Sequence, residues 1–326
     1  MSDAAFDLSV PPGLPFDERG SVVTVGTFDG VHRGHWAVLE EVRRRAERSG
    51  RRSVLVTFHP HPLRIVRPEA APPLLTTPVE KMEILAESGL DYAAFLPFTP
   101  ALARYSPLRF VEEILIGRFR LAELVIGYDH GFGRGRSGDV HTLQTIGRSL
   151  GFDVHIVPAV FDRDTPISSS SIRRALAAGH VRAAARALAR PYSVRAVVAR
   201  GEGRGRQLGF PTANLHVPDE AKLLPRQGIY AVRASLRDRY LDGVFHLGPR
   251  PTFPGSPPSA ELHLFDFDED LYGAAIRVDF CARLRDIVHF QRIDDLIAAI
   301  RADCDAARAV LASGRSACER AEEGLK

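Results

Sequence analysis

Apolar positions in the first half of the chain fall into five short runs: "SVVTV" (21–25), "SVLVTF" (53–58), "YAAFL" (92–96), "ELVIG" (123–127) and "DVHIV" (153–157). Such short apolar runs, several of them rich in β-branched residues, predict strands buried on both faces. Between them, polar and apolar positions take a helical period over 34–48, 78–88, 106–118 and 139–150. Strands separated by helices predict parallel βαβ units with right-handed crossovers.

After residue 173 the pattern changes. "RRALAAGHVRAAARALARP" (173–191) predicts one or two helices stopped by Pro191. Strand-like runs then follow at 192–199, 228–236, 241–247, 260–267 and 275–284, separated by Gly and Pro clusters. The proline-dense "PRPTFPGSPPS" (249–259) has to be loop. This spacing predicts a small antiparallel barrel. A last helix spans roughly 292–312, with Ile293, Leu296, Ile297 and Ile300 on one face. The change of pattern near 185–191 divides the chain into 1–187 and 188–326.

Composition narrows the picture. With 326 residues, 45% apolar and 25% charged, the chain is a globular protein of about two domains. No apolar run approaches the roughly 18 residues that cross a bilayer. The N-terminus lacks the basic and apolar regions of a signal peptide, which predicts a cytoplasmic protein. Cys281, Cys304 and Cys318 are odd in number and widely spaced, which fits reduced thiols and neither a disulfide framework nor a zinc site. A net charge of only +3 argues against a strong nucleic-acid binder. Small molecules are therefore the expected partners, with no nucleic acid, no membrane, and self-association no stronger than a weak homo-oligomer. The basic residues are nearly all arginine, which suits two-pronged recognition of phosphate.

Candidate chemistry begins with "GTFDGVHRGH" (26–35), directly after the first predicted strand. Parallel sheets bind ligands at the carboxyl ends of their strands. A helix starting near Gly34 would offer unpaired N–H groups and its positive end to an anion. Gly30 and Gly34 clear side chains where a phosphate approaches. His32 and His35 are three apart and share one side of a helical turn, so their N–H groups can stabilise charge building on phosphorus. Zinc would need further ligands that nothing nearby supplies; a tight turn with two solvated histidines is the structural alternative. "ISSSSIRRAL" (167–176) puts serines at a helix start, where they can cap it and bond phosphate, with Arg173 in the first turn. Ordinary N-capping also accounts for the serines. The histidines of "HPHP" (59–62) read as structural.

In the second half, "GRGRQLGFPTANL" (203–215) is a glycine-rich turn followed by an extended segment held by Pro211. Thr212 and Asn214 point the same way in an extended chain and form a hard-oxygen pair suited to Mg²⁺. Backbone N–H groups at Gly201, Gly203, Gly205 and Gly209 could cradle phosphates; a polar hairpin would explain the glycines alone. No βαβ unit surrounds them, so the dinucleotide fingerprint does not apply. Asp266, Asp268, Glu269 and Asp270 read as a solvated turn.

Together with "TFHPHP" (57–62), "LPFTPALA" (96–103) and "GYDHGFGRGRSGD" (127–139), the first-half motifs resemble the adenylyltransferase module of bacterial FAD synthetases, over nearly all of 20–190. The resemblance implies a Rossmann-like α/β nucleotidyltransferase domain that moves AMP from ATP onto FMN and releases pyrophosphate. It places His32 and His35 as catalytic groups on ATP phosphates. It adds Gly26, Phe28, Asp29, Gly34, Ser168, Ser169, Ser170 and Arg173 as nucleotide- or phosphate-binding, and Asp129 beside the flavin. "GFPTANL", "LGPRPTF" (247–253) and "AELHLFDFDEDLYG" (260–273) resemble riboflavin kinases over roughly 188–310. That implies a barrel in which Glu261 is the general base on the ribityl 5′-hydroxyl. Thr212 and Asn214 would hold Mg²⁺, and Gly203, Gly205, Gly209 and Pro211 would line the nucleotide. Where those families usually carry threonine, an acidic residue, phenylalanine, glycine and asparagine, this chain carries Ser170, His59, His130, Arg195 and His246. The implied protein makes FMN from riboflavin and FAD from FMN with Mg²⁺ and ATP. The alternatives are loss of one activity, or a flavin-sensing regulator without catalysis.

Overall fold

The computed structural model describes residues 13–14, 16, 18–132, 138–200, 204–237, 239–250, 252 and 258–323, with no side chains described beyond 313. By internal packing the chain divides into two units, Met1–Ser169 and Ser170–Lys326.

The first unit is built on five parallel strands: β1 Ser21–Val25, β2 Arg52–His59, β3 Tyr92–Pro97, β4 Leu121–Gly127 and β5 Asp153–Val157. Their order is β3-β2-β1-β4-β5. β1 lies at the centre and is buried at every position. Successive side chains in a strand face opposite ways, so β1 feeds two cores. Val23 and Val25 pack with Phe110, Ile114, Phe119 and Leu143 on one face. On the other, Val22 packs with Val38, Leu39 and Val42 of helix α1 (Arg33–Ser49) and Leu85 of α2 (Pro78–Ala86). This is why the strands read as unbroken apolar runs. The helix expected at 106–118 is Pro107–Phe110 and Gly117–Phe119 joined by a π-helical stretch, Val111–Ile116. Helix α3 is Val140–Leu150, capped by the Asp139 carboxylate, which accepts from Thr142 N–H at 2.8 Å.

The strand order positions the first candidate site. From β1 the chain builds outward through β2 and β3, then returns to lay β4 on the other side of β1. The loops after β1 and β4 therefore diverge at this reversal, at the carboxyl ends of the strands, the place where open α/β sheets take ligands. Residues 26–32 follow β1, and Tyr128–His130 follow β4.

The second unit carries helices α4 (Ser169–Ala177) and α5 (Val181–Leu188) and a closed barrel. Its six antiparallel strands are β6 Tyr192–Ala199, β7 Ala213–His216, β8 Gly228–Leu236, β9 Arg239–Gly248, β10 Ser259–Leu264 and β11 Ala275–Arg285. Around the barrel they run β6-β7-β10-β9-β8-β11. The short β7 is not among the strands expected from the pattern, because the alternation of "ANLH" lasts only four residues. The packing division lies upstream of 187 because α5 buries Val181, Ala184 and Leu188 and packs on β6 and β11. Helix α6 runs Ile293–Glu323, past the expected 312. Of the expected stripe, Ile293 is exposed and Leu296 and Ile300 line a cavity, while Ala307 and Leu311 pack against Ile229, Ala231 and Val244.

Phe280 on β11 is fully buried, with the Tyr230 and Phe245 rings edge-on at centroid distances of 5.1 and 5.4 Å. Removing such a ring leaves a cavity that a closed barrel relaxes around poorly. Phe280→Ala should cost about 3–5 kcal/mol, read as a fall in the denaturant midpoint of the second unit without a change of slope.

Candidate active sites

His32 is the N-cap of α1, placing the helix start slightly earlier than the expected Gly34. Its Nδ1 accepts the His35 backbone N–H at 3.3 Å, and His35 Nδ1 accepts the His32 backbone N–H at 3.3 Å. This is a capping box made by two imidazoles in place of the usual hydroxyl and carboxylate. The rings stack, with centroids 3.6 Å apart and planes 15° apart. A nitrogen that accepts an N–H carries no proton of its own, so each neutral ring bears its proton on Nε2. Capping thus fixes the tautomer and leaves two parallel rings with their Nε2–H donors uncommitted to the box. The N–H groups of Arg33 and Gly34, first and second in the helix, also take no part in it.

The neighbouring residues serve this pair. A side chain at Gly34 would bring its Cβ to 3.2 Å from the His32 ring, so the glycine is what admits the imidazole cap. Phe28 is buried, with its ring 4.6 Å from that of His35. A Cβ at Gly26 would meet the Phe28 ring at 3.1 Å. Phe28 and Val31 hold φ of 47° and 36°, a costly region for non-glycine residues that concentrates at functional loops. Asp29 is 2% exposed. Its carboxylate accepts the N–H groups of Leu75 and Thr76 and the Thr76 hydroxyl, at 3.0–3.2 Å. The Gly30 N–H donates to Thr76 Oγ1 at 3.1 Å. Asp29 therefore acts as a tie between two loops, with its negative charge turned inward. Beneath it the Lys81 ammonium donates to the Thr27 carbonyl at 2.8 Å. Burial brings Lys81 down to about 8, partly opposed by the charge of Asp29.

Ser169 Oγ donates to the Asp29 carbonyl at 2.9 Å, and Ile167 O lies 3.8 Å from where a Gly34 Cβ would stand. The start of the serine run thus lies against the histidine loop, with Ser168 half-buried between these contacts in sequence. Ser170, exposed, and Arg173, half-buried, lie on α4 in the second packing unit. Asp129 is exposed in the turn after β4, at the carboxyl end of that strand. His61 caps the short helix Pro62–Val66 by accepting the Leu63 N–H at 3.2 Å, the structural role its loop suggested.

In the barrel, Glu261 on β10 pairs directly with Asn214 of β7 on one side and His246 of β9 on the other. Directly paired residues share a face, so strand register alone assembles the three. Ser259 Oγ donates to Glu261 Oε1 at 2.9 Å, and the Arg250 guanidinium bonds the same carboxylate. Among the described residues Oε2 has only a long contact, the Thr212 hydroxyl at 3.4 Å. It is the oxygen with capacity to take a proton. By donating to Glu261, the Thr212 hydroxyl leaves its lone pairs to face a cation. Arg250 also donates to Asn214 Oδ1 at 3.1 Å. Burial pushes the His246 imidazole down, against the opposing pull of Glu261; its Nε2 bonds the Pro249 carbonyl at 3.1 Å.

The glycine-rich turn differs from the expected cradle. Residues Arg204–Gln207 form one helical turn. The N–H groups of Leu208 and Phe210 donate to Gly205 O, and that of Gly209 to Arg206 O. Gly205 is explained by close approach: its Cβ would lie 2.4 Å from Phe210 O and 2.8 Å from Thr212 Oγ1. Gly209 sits at φ 84°, and Pro211 turns its carbonyl to His263 at 2.7 Å. Gly203 lies outside the described residues. Thr212, Asn214 and Glu261 line one cavity of about 170 Å³, whose apolar side includes Ile229, Val288 and Phe290. Among the described residues no group of three His, Cys, Asp or Glu could hold a metal ion. A hard cation that fills its shell with water and phosphate oxygens needs no such group, and the hydroxyl and amide oxygens here fit one. Sequence reasoning overlooks Lys81, Arg250 and Ser259; "LGPRPTF" is the available signal for Arg250.

A donor-lined helix start at the reversal point of a parallel sheet, and a carboxylate between hydroxyl and amide oxygens in a barrel, define a class: enzymes with two phosphate-transferring centres on one chain. Comparison with known proteins agrees. The FAD synthetase family model matches residues 15–171, and the riboflavin kinase model matches 188–311. The bifunctional riboflavin kinase/FMN adenylyltransferase of Escherichia coli K12 is 36% identical, covering 88% of this chain and 91% of its own. That of Bacillus subtilis is 34% identical with the same coverage. A solved structure titled as a macrolide-efflux protein from Streptococcus pneumoniae superposes with a TM-score of 0.81 at 29% identity, covering 92% of this chain and 96% of that one. Among the described residues no helix is long and apolar enough to cross a membrane. The chain belongs to the bifunctional riboflavin kinase/FMN adenylyltransferase family: an N-terminal FAD synthetase domain and a C-terminal riboflavin kinase domain, a nucleotidyltransferase and a phosphotransferase that use ATP.

The buried Lys81 makes stability depend on pH with a definite sign. Unfolded, it keeps its proton to about 10.5; folded, only to about 8. Between those values the unfolded chain binds the extra proton, so stability rises with pH. Relative to Lys81→Met, the wild type should gain a few kcal/mol from pH 8 to 10.5 and show a flat difference below pH 8. Urea unfolding at stepped pH, followed by Trp36 fluorescence in the first unit, measures it.

Proposed function

We propose that residues 188–326 phosphorylate riboflavin with Mg²⁺ and ATP, and that residues 1–187 adenylylate the resulting FMN, in the cytoplasm and without nucleic-acid or membrane partners. In the kinase, Glu261 Oε2 takes the proton of the ribityl 5′-hydroxyl as that oxygen attacks the γ-phosphorus. Thr212 and Asn214 hold Mg²⁺, which neutralises charge on the transferring phosphoryl group when bound. The apolar side of the cavity shields the flavin ring from water, and Gly205, Gly209 and Pro211 shape the nucleotide's approach.

In the adenylyltransferase, an FMN phosphate oxygen attacks the α-phosphorus and pyrophosphate leaves. The Nε2–H groups of His32 and His35 and the first N–H groups of α1 donate to oxygens whose charge grows in the transition state. Ser168 and Ser169 grip the departing phosphates, and Gly26, Phe28 and Asp29 keep the loop in shape around the nucleotide. Asp129 stands at the flavin side. Neither reaction needs a covalent intermediate, because positioning and electrostatic stabilisation suffice. The observation that carries this reading is that each half holds its own complete donor set: two tautomer-fixed imidazoles in one, a carboxylate with an open oxygen between Thr212 and Asn214 in the other.

Two substitutions separate the reactions. His35→Ala should lower FMN-to-FAD conversion by about 10²–10³-fold and leave FMN formation intact. Glu261→Gln should lower riboflavin phosphorylation by about 10²-fold or more while supplied FMN is still adenylylated. Chromatographic product analysis, with riboflavin and FMN supplied separately, reads both. Equal loss of both reactions in either folded variant refutes the two-centre assignment.

A further inference from the structure

We infer that Arg250 is a resident counter-cation of the kinase centre: its guanidinium holds Asn214 and Glu261 together before the divalent cation binds, and gives up that place when it does. The inference rests on the riboflavin kinase reading of this cavity.

Arg250 bridges two strands. It donates to Asn214 Oδ1 at 3.1 Å and bonds the Glu261 carboxylate. Its side chain is 17% exposed and that of Glu261 19%. An ion pair so far removed from water cannot lose one member without leaving the other costly. The carboxylate therefore needs a cation at all times, and in this state Arg250 is that cation. A planar guanidinium presents several donors in a fixed fork, which lets it hold two oxygens at a set separation. The same two residues are the ones a hard cation at this site would draw on, Asn214 directly and Glu261 through the Thr212 hydroxyl. A divalent ion at Asn214 Oδ1 would sit against the guanidinium, and like charges that close cannot share a poorly hydrated pocket. Arg250 lies beyond the end of β9, in no strand of the barrel, so its movement breaks no ladder.

This makes Arg250 a positioning residue with an unusual signature. Removing its charge should favour metal binding, because a competitor is gone. It should also slow turnover, because nothing then holds Glu261 and Asn214 in place between the departure of one cation with its product and the arrival of the next. A residue that merely supports the fold would weaken both.

The test uses the full chain and Mn²⁺ as a spectroscopic probe, titrated by electron paramagnetic resonance alone and with ADP. Arg250→Gln should bind Mn²⁺ about tenfold more tightly than the wild type, with kcat for riboflavin phosphorylation lower by about tenfold. Arg250→Lys keeps the charge and loses the fork; its Mn²⁺ affinity should stay within about threefold of the wild type while kcat falls. A circular dichroism spectrum and a second-unit denaturant midpoint close to those of the wild type report that the barrel of each variant is folded. Equal or weaker Mn²⁺ binding by the Gln variant overturns the inference. If that variant does not fold, the Lys variant decides, and Mn²⁺ binding by it clearly tighter than the wild type overturns the inference. A wild-type protein that makes no FMN would instead overturn the kinase reading, whatever the Mn²⁺ results.

Discussion

A carboxylate withdrawn from water has to be compensated by donors or cations, and both halves of the chain are organised around that constraint. Asp29 follows the first strand of the sheet and Glu261 lies in the wall of the kinase cavity. Each is surrounded by donors: Leu75 and Thr76 for the first, with the Lys81 charge nearby, and Arg250, Ser259 and Thr212 for the second. The two environments differ in one respect. Both oxygens of Asp29 are engaged by backbone amides, so it is a tether. Among the described residues, the nearest hydrogen-bond partner of Glu261 Oε2 is a hydroxyl at 3.4 Å. The same side-chain chemistry is scaffold in one place and, on the proposed reading, reagent in the other, a difference made by hydrogen bonding.

The histidine pair meets the complementary need, donors without a charge that must be balanced. Placing both imidazoles in a capping box solves two problems at once. The helix start is satisfied, and each ring is held in the form that can donate from Nε2. Gly34 makes this possible by leaving room for the His32 ring. The left-handed backbone at Phe28 and Val31 is what the loop tolerates to bring the rings to that position.

Much of this architecture is legible in the chain. The five sheet strands can be read because strands buried on both faces are apolar throughout. The histidine spacing and the Thr-x-Asn pair can be read because local periodicity decides which side chains share a side. What cannot be read is non-local. The start of α1 falls at His32 because His35 reaches back to it, a reciprocity that spacing alone does not reveal. Lys81 looks like a solvated helix residue until the Thr27 carbonyl and Asp29, some fifty positions upstream, are packed over it. Arg250 sits in a proline-rich loop whose sequence shows no partner. β7 is too short to announce itself, yet it carries Asn214.

The register around Glu261 has a further consequence for how competence arises. Its neighbours come from β7, β9 and β10, and none of the three is adjacent to another in the order of synthesis except β9 and β10. A growing polypeptide released only through the first hairpin of the barrel has the hydroxyl and the amide but no base beside them. On the proposed reading, phosphorylating ability is therefore acquired late, when the fifth strand of the cylinder, β10, slots between β7 and β9 and brings the carboxylate to the waiting hydroxyl and amide.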